Sequence, residues 1–267
     1  MYVNKYKLLV VLHVTTKINL QQGTLYNADC FDVFPQIADK TVSCIIADLP
    51  YAQTHHDWDR LLPMDALWRE YKRVLKPNGV VILFGQNKLT YQLIAANPEW
   101  YKYSLVWDKV LPANFLNANR MPLRTHEDIL IFYNKPSTYN PQKIKGAKNH
   151  TRGKAVGNVQ QEYTYGAVKV IESDTDLKHP GSILRFAKPH PSVANHPTEK
   201  PVALLEFLIK SYTNESDLVL DNCMGSGSTC VAANNVGRRY IGIELMKQYF
   251  DVAVSRVQAS ECIQPMA

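Results

Sequence analysis

Residues 218–229 read LVLDNCMGSGST, an apolar strand-like run followed by an acid and by two closely spaced glycines. Gly225 and Gly227 permit a tight turn and a close approach of a ligand to the backbone. A helix beginning directly after this turn would offer unpaired N–H groups to that ligand. Glu244 ends the next predicted strand, where the acid of a βαβ unit binds ribose hydroxyls. A purely structural glycine turn is the alternative, but the acid at each strand end favours a nucleoside site that includes Asp221.

Strand-like and helix-like stretches alternate along most of the remaining chain. The predicted strands cover residues 42–47, 80–84, 103–107, 129–133, 218–221 and 240–244. The predicted helices cover residues 63–75 and 201–212, the stretch from the glycine turn to Asn235, and the stretch after Glu244. Such alternation is typical of an α/β fold with a mostly parallel sheet and helices on both faces.

The alternation stops between Asn134 and His196, and most of the excess positive charge lies there. The whole chain has 267 residues and a net charge of +6, with 46% hydrophobic residues. Residues 141–169 hold a single acid, Glu162, against six basic residues: Lys143, Lys145, Lys148, Arg152, Lys154 and Lys169. A solvated loop is one interpretation of this stretch. A binding element carried by a long insertion is the other.

The cysteines and the N-terminal residues bear on the cellular compartment of the protein. Five cysteines without a C-x-x-C pair indicate reduced thiols of a cytoplasmic protein. The apolar run at residues 8–14 is far shorter than the ~20 residues of a membrane helix, and no small-residue cleavage site follows it. We therefore expect an N-terminal strand or extension there. We expect no metal site, because His55, His56 and Asp57 are adjacent rather than spaced as ligands on one helix face.

A second and a third motif narrow the function. Residues 48–51 read DLPY directly after a predicted buried strand, and residues 196–201 read HPTEKP. At the carboxyl end of a parallel strand, the acid of the first motif lies where α/β sheets place their chemistry. Together with the glycine turn, these motifs resemble the amino-methylating DNA methyltransferases, in the β order in which the catalytic motif precedes the cofactor turn. The resemblance covers residues 23–257 and implies a Rossmann-like methyltransferase sheet with S-adenosylmethionine as cofactor.

The resemblance also implies residue roles. The implied catalytic residues are Asp48, Leu49, Pro50 and Tyr51. Asp48 and the carbonyl of Leu49 correspond to the acceptors of the target amine, and Tyr51 corresponds to the ring that stacks on an extruded base. The implied cofactor-binding residues are Asp29, Cys30, Asp48, Thr198, Lys200, Asp221, Gly225, Gly227 and Glu244.

Two departures from the family pattern matter. Leu49 replaces the first proline of the usual D-P-P-Y, which keeps the carbonyl but loses a locked φ. Asn222 and Cys223 replace a usual Pro-Phe, which removes an aromatic wall from the cofactor turn. Cys223 lacks the Pro-Cys motif of cytosine-carbon methylation, so we do not expect it to act as a nucleophile.

The expected activity is methylation of the adenine amine in double-stranded DNA, with base flipping. The implied domains are an N-terminal extension at 1–22, a methyltransferase domain at 23–257 and a tail at 258–267. Residues 134–195 would form the recognition insertion, with Lys143, Lys145, Lys148, Arg152 and Lys154 binding DNA. A homodimer, a cognate restriction endonuclease and a bacterial or phage-encoded cytoplasmic protein complete these expectations.

Other functions remain open at this point. A cytosine N4 DNA methyltransferase and an amine methyltransferase acting on RNA share the same pocket chemistry. A non-catalytic DNA-binding module would not require Asp48 and Glu244 beside a cofactor turn. A nicotinamide dehydrogenase is disfavoured because Cys230 occupies the third glycine position of G-x-G-x-x-G.

Overall fold

The computed structural model describes residues 15–50, 62–113, 115–146, 176–188 and 199–262. Contacts divide the chain into a larger unit, formed by residues 1–140 and 182–267, and a smaller unit of residues 141–181. No helix among the described residues is long and apolar enough to cross a membrane.

The larger unit is built on a nine-stranded sheet. Its strands are β1 (Thr16–Asn19), β2 (Gly23–Asn27), β3 (Val42–Ala47), β4 (Leu75–Gly85), β5 (Tyr101–Ala113), β6 (Arg124–Phe132), β9 (Ile183–Arg185), β10 (Leu218–Asp221) and β11 (Arg239–Glu244). They lie in the order β1-β2-β11-β10-β3-β4-β6-β5-β9. From β2 to β4 all neighbours are parallel, and β6 pairs antiparallel with both β4 and β5.

Helices cover both faces of this sheet. They are α1 (Cys30–Val33), α2 (Met64–Val74), α3 (Lys88–Ala96), α4 (Val202–Tyr212), α5 (Ser228–Asn235) and α6 (Lys247–Glu261). Alternate residues of β3 point to opposite faces, as strand geometry requires. Cys44 and Ile46 pack with α4, α5 and α6, whereas Ile45 and Ala47 pack with α1, α2 and α3. All six residues of β3 are buried, which explains why they are apolar except for Ser43, whose hydroxyl donates to Asp217 at 2.6 Å.

The α/β class and the two helix layers are as predicted, but several element bounds differ. Helix α3 was not predicted. Strand β4 begins at Leu75 rather than at residue 80, because the backbone of Leu75 already pairs with Val42. Strand β1 lies inside the expected extension at 1–22, and α6 continues to Glu261, inside the expected tail. Strand β9 lies inside the expected insertion at 134–195 and pairs with β5.

The smaller unit contains a short antiparallel pair. Strands β7 (Ile144–Lys145) and β8 (Leu177–Lys178) form it, and Gly146 N–H donates to the carbonyl of Asp176 at 2.8 Å.

Candidate functional site

Three acids meet at the carboxyl edge of the parallel sheet. Asp48 follows β3, Asp221 ends β10 and Glu244 ends β11, and these three strands are neighbours in the order β11-β10-β3. Parallel strands all end at the same edge, so this order brings the three carboxylates to the rim of one cleft. The cleft is also lined by Asp29, before α1, and by Gly225, in the turn after β10.

The glycine turn adopts a backbone that favours its glycines. Gly225 and Gly227 have φ values of 52° and 79°. A Cβ atom added to Gly227 would lie 2.8 Å from the Cβ of Ala253 on α6. Gly227 therefore serves both the left-handed turn and the close packing of α6.

Glu244 is tied to the glycine turn through its carboxylate. Gly225 N–H donates to Oε2 at 2.9 Å, and Met246 N–H donates to Oε1 at 2.7 Å. Burial raises the pKa of Glu244, although these backbone donors act in the opposite direction. A carboxylate has about four acceptor sites. These two bonds therefore leave acceptor capacity toward the cleft.

Asp221 is held in a similar way but is more deeply buried. Its Oδ1 accepts a hydrogen bond from the N–H of Cys223 at 3.0 Å. Burial raises the pKa of Asp221 to about 7, which places its titration within the physiological range.

Asp29, which also lines the cleft, precedes α1. Its Oδ1 accepts from the N–H of Phe31 at 2.8 Å, which caps the helix. Burial raises the pKa of the neighbouring Cys30 thiol to about 12, and burial also raises that of Cys223 well above its usual value. Both thiols are therefore neutral. A neutral thiol is a poor nucleophile, and the absence of a nucleophilic role for Cys223 stays a prediction.

The departure at Asn222 has a structural partner. Its side-chain oxygen accepts a hydrogen bond from the hydroxyl of Tyr71 on α2 at 2.6 Å, and both residues are buried. An asparagine at this position therefore anchors the glycine turn to α2. Leu49, the other departure from the family pattern, contributes to packing, because its side chain is fully buried in the same core cluster as α2.

The structure places the ammonium of Lys200 on the carboxylate of Asp48. The distance from Nζ to Oδ2 is 2.5 Å, and the same ammonium lies 3.3 Å from Oε2 of Glu127 on β6. Lys200 was predicted from its motif as a cofactor-binding residue, and it does line the cleft. Its polar contacts among the described residues are nevertheless with these two acids. Glu127 carries no motif in the sequence and was not predicted.

Arg256 was also not predicted, although it joins two of the motifs. Its guanidinium donates to the carbonyl and hydroxyl oxygens of Ser226, each at 2.7 Å, and to Glu199 at 2.8 Å. Glu199 belongs to the HPTEKP motif and Ser226 to the glycine turn. Arg256 thus holds both motifs against α6. No local pattern could have revealed this, because an arginine on an amphipathic helix usually faces solvent.

The remaining predicted residues fall into two groups. Lys143 and Lys145 are exposed on the smaller unit, where Lys145 lies 3.7 Å from Asp176. Tyr51, Lys148, Arg152, Lys154 and Thr198 lie outside the described residues. Within the ranges that the structure describes, no group of three or more His, Cys, Asp or Glu side chains is placed to hold a metal ion.

Over most of its length, this chain is similar to one protein family and to known members of it. The N6/N4 methyltransferase family model, described as DNA methylase, matches residues 42–255. The Type II methyltransferase M2.DpnII of Streptococcus pneumoniae is 28% identical, over 96% of this chain and 97% of its own. The Type II methyltransferase M.HpaI of Haemophilus parainfluenzae is 27% identical, over 84% of this chain and 70% of its own.

Solved structures share the fold. A complex of M1.HpyAVI with S-adenosylmethionine has a TM-score of 0.59 at 23% identity, covering 87% of this chain and 98% of that one. The cytosine-N4-specific PvuII DNA methyltransferase has a TM-score of 0.64 at 16% identity, covering 89% and 87%.

Proposed function

Because the chain belongs to the DNA methylase family of N6-adenine and N4-cytosine methyltransferases, we propose that it methylates the exocyclic amine of adenine within a specific DNA sequence. The observation that carries this proposal is the shared cleft. The acid of the DLPY motif, Asp48, opens onto the same space as the glycine turn and Glu244. A methyl acceptor and a methyl donor bound at these two ends would meet within one cavity.

S-adenosylmethionine is the methyl donor in this proposal, and its sulfonium supplies an activated methyl group. The residues present fit it. Glu244 offers acceptor sites for ribose hydroxyls, as its buried carboxylate keeps capacity beyond its two backbone bonds. Asp221, Gly225 and Gly227 would surround the methionine part. Asp29 and Cys30 line the part of the cleft assigned to the adenine end, and Thr198 stays a prediction.

The target amine is assigned to Asp48. An exocyclic amine is a poor nucleophile because its lone pair is delocalised into the ring. The Asp48 carboxylate and the Leu49 carbonyl would accept both amine protons and favour a pyramidal nitrogen whose lone pair is available. These bonds strengthen as positive charge develops on nitrogen, so they stabilise the transition state more than the ground state.

The target base must leave the duplex to reach this cleft. Extrusion costs a few kcal/mol of stacking and pairing energy. In the proposal, stacking on Tyr51 offsets part of that cost, and Pro50 fixes the chain between the acid and the ring. DNA affinity is assigned to the basic insertion at 134–195, including Lys143, Lys145, Lys148, Arg152 and Lys154, since lysine and arginine contacts with phosphates supply most of nonspecific affinity.

The base can be identified directly. Duplex DNA is incubated with the purified protein and S-adenosylmethionine, digested to nucleosides and analysed by mass spectrometry. N6-methyladenine is the expected product, and sequencing of modified positions gives the recognition sequence. N4-methylcytosine as the product would refute the adenine assignment, and methylated RNA with unmodified DNA would refute the substrate class.

Replacing Asp48 tests the catalytic assignment. Loss of one preorganised group of this kind costs on the order of 3–4 kcal/mol, a hundred- to a thousandfold in rate. We expect Asp48→Ala to lose this much in single-turnover methyl transfer at saturating cofactor, with Asp48→Asn between wild type and Ala. DNA binding should persist in both variants. Asp65→Ala, which removes an exposed acid from the first turn of α2, serves as the control. A wild-type rate in Asp48→Ala would make the acid structural.

The proposal extends to partners. The relatives are named Type II methyltransferases, which supports a cognate restriction endonuclease with the same recognition sequence. A cytoplasmic location and a homodimer belong to the same proposal. Sedimentation of the purified chain with and without its DNA site measures the oligomeric state.

A further inference from the structure

The buried Lys200 connects Asp48, the acid of the DLPY motif, with an ion pair between β6 and β5. Lys200 Nζ lies 2.5 Å from Asp48 and 3.3 Å from Glu127, and Glu127 lies 2.8 Å from Nζ of Lys109 on β5. The side chains of Lys200 and Lys109 are only 8% and 6% exposed. Acids and lysines alternate along this series of ion pairs, from Asp48 to Lys109, so its two negative and two positive charges balance.

Aromatic rings fix where the ammonium of Lys200 can lie. Nζ is 4.9 Å from the ring centroid of Phe84 on β4 and 5.9 Å from that of Trp107 on β5. The Trp107 indole is itself anchored, because its N–H donates to the carbonyl of Phe186 at 2.8 Å. Cation–π attraction and burial hold the lysine in one place. It therefore presents its charge to Asp48 from a fixed direction.

We propose that Lys200 is a positioning residue for methyl transfer: it orients the Asp48 carboxylate and keeps it ionised. This inference rests on the proposed function, because Asp48 must be the residue that accepts the target amine. The HPTEKP motif then contributes to catalysis at Asp48 rather than to cofactor affinity through this lysine.

The geometry explains what such an ammonium adds. A carboxylate has about four acceptor sites, and the ammonium at Oδ2 occupies one of them. An adjacent cation also makes the carboxylate a weaker base, so it accepts a hydrogen bond without taking the proton from the neutral amine. Glu127 shares the ammonium and reduces its repulsion of the positive charge that develops on the methylated nitrogen.

The acid limb of the pH–rate profile reports this role. Without the ammonium, Asp48 takes up a proton at higher pH, and the rate should begin to fall at a correspondingly higher pH. Several other groups act on this cluster electrostatically and could contribute to the profile. They are Glu127 on β6, Lys109 on β5, Lys188 after β9, Asp221 at the end of β10 and Cys223 in the cofactor turn.

Two double variants isolate Lys200. Lys200→Met/Glu127→Gln and Lys109→Met/Glu127→Gln each remove one lysine and one acid, so each keeps the cluster balanced in charge. Both lysines lie over the Trp107 ring, Lys109 at 5.8 Å, and methionine suits such an aromatic surface. Both variants carry Glu127→Gln, so the difference between them compares the loss of the lysine that contacts Asp48 with the loss of the lysine that does not. The measurements are thermal unfolding, S-adenosylmethionine affinity by calorimetry, and single-turnover methyl transfer from pH 5 to 9.

We expect the Lys200 double variant to transfer methyl groups about ten- to a hundredfold more slowly than the Lys109 double variant, as for a lost charge-assisted hydrogen bond. Its acid limb should move to higher pH, and its cofactor affinity should match that of the Lys109 double variant. Its thermal stability should be lower, because the buried Lys109 loses the acid with which it is paired, whereas Lys200 keeps Asp48 in the other variant. Equal rates and equal pH profiles would overturn the proposal, as would a selective loss of cofactor affinity on replacement of Lys200. An inactive wild-type chain would refute the proposed function itself, whereas an active wild type with equivalent double variants would refute only the role of Lys200.

Discussion

At the scale of single residues, Glu244 offers the simplest test of the cofactor site. Glu244→Ala removes the acceptor assigned to the ribose, a charge-assisted hydrogen bond worth roughly 1.5–3 kcal/mol. The affinity for S-adenosylmethionine should fall about ten- to a hundredfold, as measured by calorimetry. Asp251→Ala removes an acid from the exposed side of α6 and should bind the cofactor like wild type. Unchanged affinity in Glu244→Ala would contradict the assignment.

Asp221 makes the stability of the protein depend on pH in an unusual direction. Burial raises its pKa from 3.8 to about 7. An acid that is harder to ionise in the folded chain favours folding at low pH, and this contribution is lost as the pH rises from about 4 through 7. Asp221→Asn should therefore melt several degrees above wild type at pH 8 and close to it at pH 4, in thermal unfolding without ligand.

Asp217 provides a control of opposite sign. Burial alone would raise its pKa, but hydrogen bonds from Ser43, the Asn214 backbone and Lys76 lower it below its usual value. Its contribution to stability is present at neutral pH and is lost only as the pH falls through that lowered pKa. Asp217→Asn should therefore lower the melting temperature at pH 8. A common response of the two variants at pH 8 would show that burial of Asp221 does not govern its ionisation.

At the scale of elements, the start of α5 depends on its contact with α6. Gly227 and Gly237 both have positive φ, at 79° and 71°, but only an added Cβ at Gly227 would meet Ala253. Gly237→Ala should cost about 1–2 kcal/mol, the penalty of a left-handed backbone. Gly227→Ala should cost more in denaturant unfolding, because α6 must move, and should also weaken S-adenosylmethionine binding. Equal costs with unchanged cofactor affinity would mean that α6 adapts to the added methyl group.

The elements also show which features local sequence can predict. Strands β3, β10 and β11 are short, mostly apolar runs that end at an acid or a turn, and the sequence predicts from that pattern both the strands and the acids at their carboxyl ends. Helix α3, which begins at Lys88, was not predicted. Asn87 precedes it with a φ of 51°, and the Asn87 side chain makes no capping hydrogen bond. Without a capping signal, the start of α3 is set by packing of Leu89 and Leu93 on the sheet.

At the scale of the whole molecule, the interactions that could not be predicted are those between distant parts of the chain. Lys200 and Asp48 are 152 residues apart, and Tyr71 and Asn222 are 151 apart. A lysine is almost never fully buried without a partner, so the sequence alone predicts that the side chain of Lys200 is exposed. The motifs indicated which residues gather at the cleft. They did not indicate which of those residues bind each other, because Glu127, Trp107 and Phe84 come from strands without any motif.

The distribution of charge over the chain gives the last prediction. Replacing Lys143, Lys145, Lys148 and Arg152 with glutamine should flatten the plot of log DNA affinity against log salt by about 0.9 per lost phosphate contact, since each contact releases condensed counterions. The melting temperature should change little, because Lys143 and Lys145 are exposed and the Lys145–Asp176 pair at 3.7 Å is worth less than about 1 kcal/mol. Affinity is measured by fluorescence anisotropy on one duplex at several salt concentrations.

A control of equal charge separates phosphate contacts from net charge. Lys72, Lys102, Lys210 and Arg239 are all exposed and lie at the amino-terminal edge of the sheet, opposite the cleft. Their replacement with glutamine also removes four positive charges. Long-range attraction would weaken equally in both quadruple variants, but only loss of direct contacts changes the number of released ions. Only the insertion variant should therefore show the flatter slope. Equal slopes in the two variants would mean that the basic residues of the insertion face solvent and that DNA is bound by other parts of the chain.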